Sequence, residues 1–347
     1  MSSDTFRVAL DRGFLGADGK TAWPDIGLGS LMNAPGVSVD FLAESTRELT
    51  PEQVMPHHGL ILGGPMVTRQ TFAGGAGNLI VIARHGVGYD QIDVAACTEN
   101  DVALCTTPTA SKHAVASASF AYVIALSKRL VDKDRLVRSG RWDIRGAYCG
   151  NEIFGKTLGL VGLGNTGSEL ARLVAPFAMK VIAHDPYALA ETASALGVTL
   201  VDLDTVFREA DYVCVHAKLT EETRGLVGER ELALMKPTAY FVNCARGPIV
   251  DQAALTRALR EHRIMGAGLD VFEDEPLSTD DPLLALDNVM LSPHTAAHTL
   301  ELSVAMGNVN GEQMLAAAQG RVPRDIVNRE VIERPGFQSK LRRRAAS

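Results

Sequence analysis

A chain of 347 residues exceeds one ordinary compact core and accommodates about two domains. Its 46% hydrophobic and 22% charged composition is that of a globular protein, and a net charge of −7 excludes a general nucleic-acid binder, which needs a basic face. The five cysteines (Cys97, Cys105, Cys149, Cys214 and Cys244) are odd in number and widely spaced with no CxxC pair, so neither a disulfide framework nor a metal site is indicated.

The chain runs from Met1-Ser2-Ser3-Asp4 into a strand-like FRVAL without a signal-peptide core, and no apolar run approaches the ~20 residues of a membrane span. A reduced, cytoplasmic protein with no membrane partner is expected. Short apolar runs then alternate with helical patterns, the sign of parallel sheets with crossover helices. The first series places strands at 6–10, 59–62, 79–83 and 102–105, with a helical stretch at 51–55. One Ala- and Val-rich helix without internal Pro or Gly is expected over 113–138, followed by a loop holding Trp142 and Tyr148. A second series places strands at 157–162, 180–184, 211–216, 239–243, 267–270 and 289–291, before a last helix at 301–319. The positive cluster Lys340, Arg342, Arg343 and Arg344 reads as a solvated, frayed tail over 331–347. Two α/β series suggest two domains, with the long helix as connector.

The strand at 157–162 enters Gly162-Leu163-Gly164-Asn165-Thr166-Gly167 and then a helix. In this pattern Gly162 permits the tight turn, Gly164 lets backbone approach a pyrophosphate, and Gly167 lets helix and strand pack closely. The N-terminus of the helix expected over 168–178 offers N–H groups and partial positive charge to phosphates, with Asn165 and Thr166 in the turn before it. Glycine-rich turns are common, so the second half of the pattern decides. Asp185 closes the next strand 23 positions after Gly162, where a carboxylate accepts ribose hydroxyls and repels a 2′-phosphate. Pro186 and Tyr187 follow it rather than Arg, which favours NAD over NADP.

Three late segments each set one ionisable residue on a loop after a strand, where open parallel sheets bind ligands. Arg246 follows the strand at 239–243, Glu275 the strand at 267–270, and His294 the strand at 289–291. Reduction of a 2-keto acid needs a cation for the carboxylate and carbonyl, a proton donor, and a group that keeps the donor charged. Arg246 suits the first, His294 the second and Glu275 the third. Taken singly, each has a plainer explanation: a surface ion pair, a solvated acid, a structural histidine.

The segments around these residues resemble a known family. Met235-Lys236-Pro237 with Asn243-Cys244-Ala245-Arg246-Gly247-Pro248-Ile249-Val250-Asp251, Leu269-Asp270-Val271-Phe272-Glu273-Asp274-Glu275-Pro276, Ser292-Pro293-His294-Thr295 and Arg84-His85-Gly86-Val87-Gly88-Tyr89-Asp90 are similar to motifs of the D-isomer-specific 2-hydroxyacid dehydrogenases. The resemblance implies two doubly wound α/β domains. A flavodoxin-like substrate domain over 1–111 and 299–330 would hold an inserted Rossmann cofactor domain over 112–298. It implies an NAD-dependent interconversion of a D-2-hydroxy acid and its 2-keto acid, by a homodimer. His294 would be the acid/base, Glu275 its partner, and Arg246 the substrate clamp. Backbone N–H groups of Gly86, Val87 and Gly88 would hold the substrate carboxylate. Cys244, Ala245 and Asp270 would line the nicotinamide side, with His216 and Ala217 beside the dinucleotide.

The chain departs from the family in His216-Ala217-Lys218, where Pro often follows the His, and in Val115-Ala116-Ser117, where Val-Ala-Glu is common. Formate dehydrogenases of this superfamily carry Gln where Glu275 stands; phosphite oxidation is less clearly excluded. An NAD-sensing corepressor of the same fold can retain the whole triad. His85 and His298 lie in site loops but read as ordinary polar histidines, and Trp142 suits either a dimer contact or local packing. A phosphorylated substrate would call on cations such as Arg69 or Arg84.

Overall fold

The computed structural model describes residues 5–346. The chain divides into two compact units: residues up to 111 with those from 298 onward, and residues 112–297.

The first unit is built on a five-stranded parallel sheet ordered β2-β1-β3-β4-β5, from β1 (Phe6–Leu10), β2 (Val37–Phe41), β3 (Gly59–Leu62), β4 (Val81–Arg84) and β5 (Ala103–Cys105). Its strands are apolar on both sides because each side is covered. Val8, Leu10, Ile61, Val81 and Ala83 enter one core with Met314 and Phe337, while Ala9, Leu60, Leu62, Ile82 and Leu104 enter the other. This is the flavodoxin-like order. Strand β2 escaped the sequence reading. It is an edge strand whose residues are mostly half-buried, so it lacks the dense apolar run of its neighbours.

The second unit carries a seven-stranded parallel sheet ordered β12-β11-β10-β9-β6-β7-β8. Its strands are β6 (Thr157–Val161), β7 (Lys180–His184), β8 (Val198–Leu200), β9 (Tyr212–Val215), β10 (Tyr240–Asn243), β11 (Gly266–Leu269) and β12 (Val289–Leu291). Side chains again alternate between two cores: Tyr212, Cys214, Tyr240 and Val242 face one, Val213, Val215 and Phe241 the other. Order reverses at β6, the switch point where a Rossmann sheet receives its ligand. Strand β8, three residues long, was also unforeseen.

Two expectations are corrected. The connecting helix is not continuous over 113–138: it breaks at Arg129, in left-handed backbone at φ 52°, into Lys112–Lys128 and Leu130–Arg138, bent by 58°. The tail is not frayed. A helix at Pro335–Ala345 buries Phe337 and Leu341 in the first unit's core. The Lys340 ammonium donates to the carbonyls of Leu79 (2.7 Å), Asp101 (3.0 Å) and Asn100 (3.1 Å). Burial pushes Lys340 down to about 8. Apolar residues at 337 and 341, one helical turn apart, were the overlooked signal. No single helix among the described residues is long and apolar enough to cross a membrane.

Candidate active site

The glycine turn leaves β6 and opens the helix Asn165–Val174, whose N-cap Gly164 provides no side-chain cap. Gly162 sits at φ 100°, and a Cβ there would come within 2.6 Å of the Ala217 nitrogen. A Cβ on Gly167 would meet the Gly162 carbonyl oxygen at 2.3 Å. Turn, helix and the His216-Ala217 segment therefore touch backbone to backbone, which only glycine permits. The Asp185 carboxylate lies on the turn: Oδ2 accepts the Leu163 N–H at 2.7 Å and Oδ1 the Tyr187 N–H at 2.9 Å. Each oxygen keeps acceptor capacity for a further donor.

Two observations test whether a dinucleotide fits. A Cβ on Gly164 would meet nothing within 4 Å, so the outer side of the turn is open. His216 Nε2 is buried with no hydrogen-bond partner among the described residues, a polar atom that calls for one. Burial lowers His216 to about 4, so the ring is neutral. These residues fit the cofactor.

Beyond β10, β11 and β12 the three loops converge. The Asn243 side chain, almost fully buried, donates to the Arg246 carbonyl and accepts the Ala245 N–H, both at 3.0 Å, and so shapes the Cys244–Arg246 turn. Arg246 donates to the Ala245 carbonyl at 2.7 Å, and its charge reaches Glu275. Glu275 Oε1 accepts the Phe272 N–H at 3.0 Å, and Oε2 lies 2.7 Å from His294 Nδ1. Burial works to raise the Glu275 carboxyl. The hydrogen bond and charge of His294, the Phe272 N–H and the Arg246 charge outweigh it and hold the carboxyl below its ordinary range. With Nδ1 on Glu275, Nε2 is the nitrogen left to exchange a proton with a ligand.

Asp270, buried after β11, holds the His294 loop through the N–H groups of Thr295 and Ala296 and the Ser292 hydroxyl. Its Oδ1 is thus occupied by this chain's own groups. Burial pushes the Cys244 thiol up to about 12, which favours the protonated form at neutral pH. Asn243, Ser292 and Tyr122 were not singled out as site residues; a polar residue closing an apolar strand was the available signal at Asn243.

In the first unit, Gly86 follows β4 at φ 145°. Its N–H donates to the Arg84 carbonyl at 2.9 Å and its carbonyl accepts Thr107 at 3.0 Å. Gly86 is therefore spent on the loop, and Val87 and Gly88 are the positions whose N–H groups make no backbone bond among the described residues. His85 Nδ1 meets Asn310 Oδ1 at 2.8 Å, and burial lowers the ring to about 4 against that bond: a satisfied, neutral histidine. His298 stands edge-on to Trp23 at 5.8 Å. Arg69 pairs bidentately with Glu99, and Arg84 donates to the carbonyls of Leu62 (3.1 Å) and His85 (2.9 Å). Trp142 is 60% exposed on the turn Trp142–Tyr148.

Residues 120–296 match the family described as D-isomer specific 2-hydroxyacid dehydrogenase, NAD binding domain. The chain is 41% identical over 268 residues to a glyoxylate reductase of Korarchaeum cryptofilum, covering 76% of this chain and 81% of that one. It is 36% identical over 307 residues to a D-3-phosphoglycerate dehydrogenase of Archaeoglobus fulgidus, covering 88% of this chain but 58% of that longer one. The crystal structure of the TT0316 protein of Thermus thermophilus superposes with a TM-score of 0.79 at 32% identity, covering 93% of this chain and 100% of that one. The cofactor is NAD, and the chain belongs to the D-isomer specific 2-hydroxyacid dehydrogenase family.

Proposed function

We propose that this NAD-dependent 2-hydroxyacid dehydrogenase interconverts a small, unphosphorylated 2-keto acid and its D-2-hydroxy acid, with His294 as acid/base, Glu275 as its partner and Arg246 as the substrate clamp. The observation that carries the assignment is the 2.7 Å contact of His294 Nδ1 with Glu275 Oε2. Bound NAD supplies or takes up the hydride. His294 gives its Nε2 proton to the carbonyl oxygen while Nδ1–H stays on Glu275, whose charge offsets that of the doubly protonated ring. In the reverse direction Nε2 removes the hydroxyl proton. Arg246 pairs its planar fork with the substrate carboxylate. The open N–H groups of Val87 and Gly88 are donors of the kind a carboxylate takes. The carboxyl at 275, rather than an amide, supports chemistry in which a proton moves along with the hydride. Asp185 at the turn supports a bare ribose, hence NAD, and D-stereochemistry follows the family.

The small, unphosphorylated substrate is supported by Arg69, which pairs with Glu99, and by Arg84, which donates to carbonyl groups. The relatives named glyoxylate reductase, 81% covered in the K. cryptofilum case, point the same way. NADH oxidation with glyoxylate, hydroxypyruvate, pyruvate, phenylpyruvate, 2-oxoglutarate and 3-phosphohydroxypyruvate tests it. Glyoxylate or hydroxypyruvate is expected to give the highest kcat/KM. A higher value for the phosphorylated acid contradicts the substrate assignment.

A further inference from the structure

The loop carrying His294 is braced by a chain of polar groups that the proposed proton transfer does not use. His294 adopts left-handed backbone at φ 55°, which residues other than glycine keep only where neighbours hold them. Its N–H donates to the Asp270 carbonyl at 2.8 Å and lies 3.0 Å from the Ser292 carbonyl. Asp270 Oδ1 then takes the next two N–H groups, Thr295 at 2.8 Å and Ala296 at 2.9 Å, and also the Ser292 hydroxyl.

A serine hydroxyl has one proton. With that proton on Asp270, the Ser292 oxygen accepts from its remaining neighbour, the Tyr122 hydroxyl 2.5 Å away. Tyr122 stands on the helix Lys112–Lys128, more than 160 positions earlier in the chain, and its hydroxyl also lies 3.4 Å from the Leu269 carbonyl. The ring reaches this place because residue 268 has no side chain: a Cβ on Gly268 would come within 2.5 Å of Tyr122 Cδ1. Burial, working against the Ser292 hydrogen bond, pushes the Tyr122 hydroxyl up to about 12, so it remains a donor throughout the neutral range.

We infer that Tyr122 is a positioning residue for the acid/base loop, its hydroxyl acting through Ser292 and Asp270 to hold residues 294–296 in the conformation that keeps His294 on Glu275. The inference rests on the acid/base role proposed for His294. Tyr122 meets no reacting atom; it fixes the donor side of a relay that ends on the backbone of the loop. Without its proton, the Ser292 oxygen is left with no donor, and the hydroxyl is free to turn from Asp270.

Tyr122→Phe keeps the ring and removes only the hydroxyl. It is expected to lower kcat for keto-acid reduction about tenfold with the KM for NADH unchanged. Ser292→Ala is expected to cost as much, and Ser292→Thr, which keeps a hydroxyl, to retain activity. The double variant Tyr122→Phe/Ser292→Ala loses no more than either single change, because the two groups form one chain. In the ligand-free protein, amide exchange at Thr295 and Ala296 rises about tenfold in both single variants while the strands of the second unit exchange as in wild type. Wild-type kcat with unchanged exchange in Tyr122→Phe overturns the inference, and so do additive losses in the double variant. A His294→Ala protein as active as wild type overturns instead the acid/base role beneath it.

Discussion

Gly247 and Phe272 meet backbone to backbone: a Cβ on Gly247 would lie 1.8 Å from the Phe272 carbonyl oxygen. This contact locks the turn that starts at Arg246 to the segment that leads to Glu275. Gly247→Ala cannot be accommodated without moving one of them. The expected cost is about 1–3 kcal/mol of stability, by urea denaturation, together with at least a tenfold loss in kcat/KM as Arg246 shifts. An alanine variant with wild-type values for both would show that the two loops are not coupled through this contact.

Glu275→Gln separates charge from shape. The amide oxygen can still accept the Phe272 N–H, but the negative charge beside His294 is gone. Reductase kcat is expected to fall about a hundredfold. Because the Glu275 carboxyl is held below its ordinary range, its charge is present above that range and is lost only as pH falls through the lowered value. Wild-type activity between pH 5 and 8, assayed as NADH oxidation, should therefore carry no limb from Glu275. A Glu275 carboxyl titration, followed by side-chain carbon NMR, with its midpoint inside that window would contradict the shift.

Asp185→Ala tests the ribose contact. It removes the acceptor of the Leu163 N–H as well as the carboxylate expected to read the 2′-hydroxyl. The ratio of kcat/KM for NADH over NADPH is expected to narrow at least tenfold. An unchanged ratio would remove Asp185 from cofactor selection.

Buried neutral histidines predict acid sensitivity. Burial lowers His58, His85 and His216 to about 4 each, assisted at His58 by Arg344 and Arg7 and opposed at His85 by Asn310. Each is depressed below its unfolded value of about 6.5, so its contribution is complete above that pH and is lost as pH falls toward 4. Each contributes a slope of about 1.4 kcal/mol per pH unit inside that window. The urea midpoint should drop from pH 7.5 to pH 5; a flat response would show that these rings titrate normally.

Much of this site was legible in the sequence because its chemistry sits in short motifs at strand ends. The glycine turn, Asp185 and the loops of Arg246, Glu275 and His294 all follow dense apolar runs that announce β6, β7, β10, β11 and β12. The half-exposed edge strand β2 and the three-residue β8 lacked such runs. What holds the motifs together was less visible. Asn243, Ser292 and Tyr122 act through contacts distant in the chain: Tyr122 and Ser292 meet only because the parallel sheet brings the connecting helix over Gly268. The same applies to the tail, where charge at Arg342–Arg344 masked two apolar positions, Phe337 and Leu341, that seat the last helix.

The central claim is that His294 is the acid/base of a keto-acid reductase, and single-turnover NADH oxidation by His294→Ala tests it most directly. With the best keto acid of the wild-type screen at saturation, the variant is predicted to bind NADH with wild-type affinity and to oxidise it at least a hundredfold more slowly. Oxidation at the wild-type rate would contradict the claim.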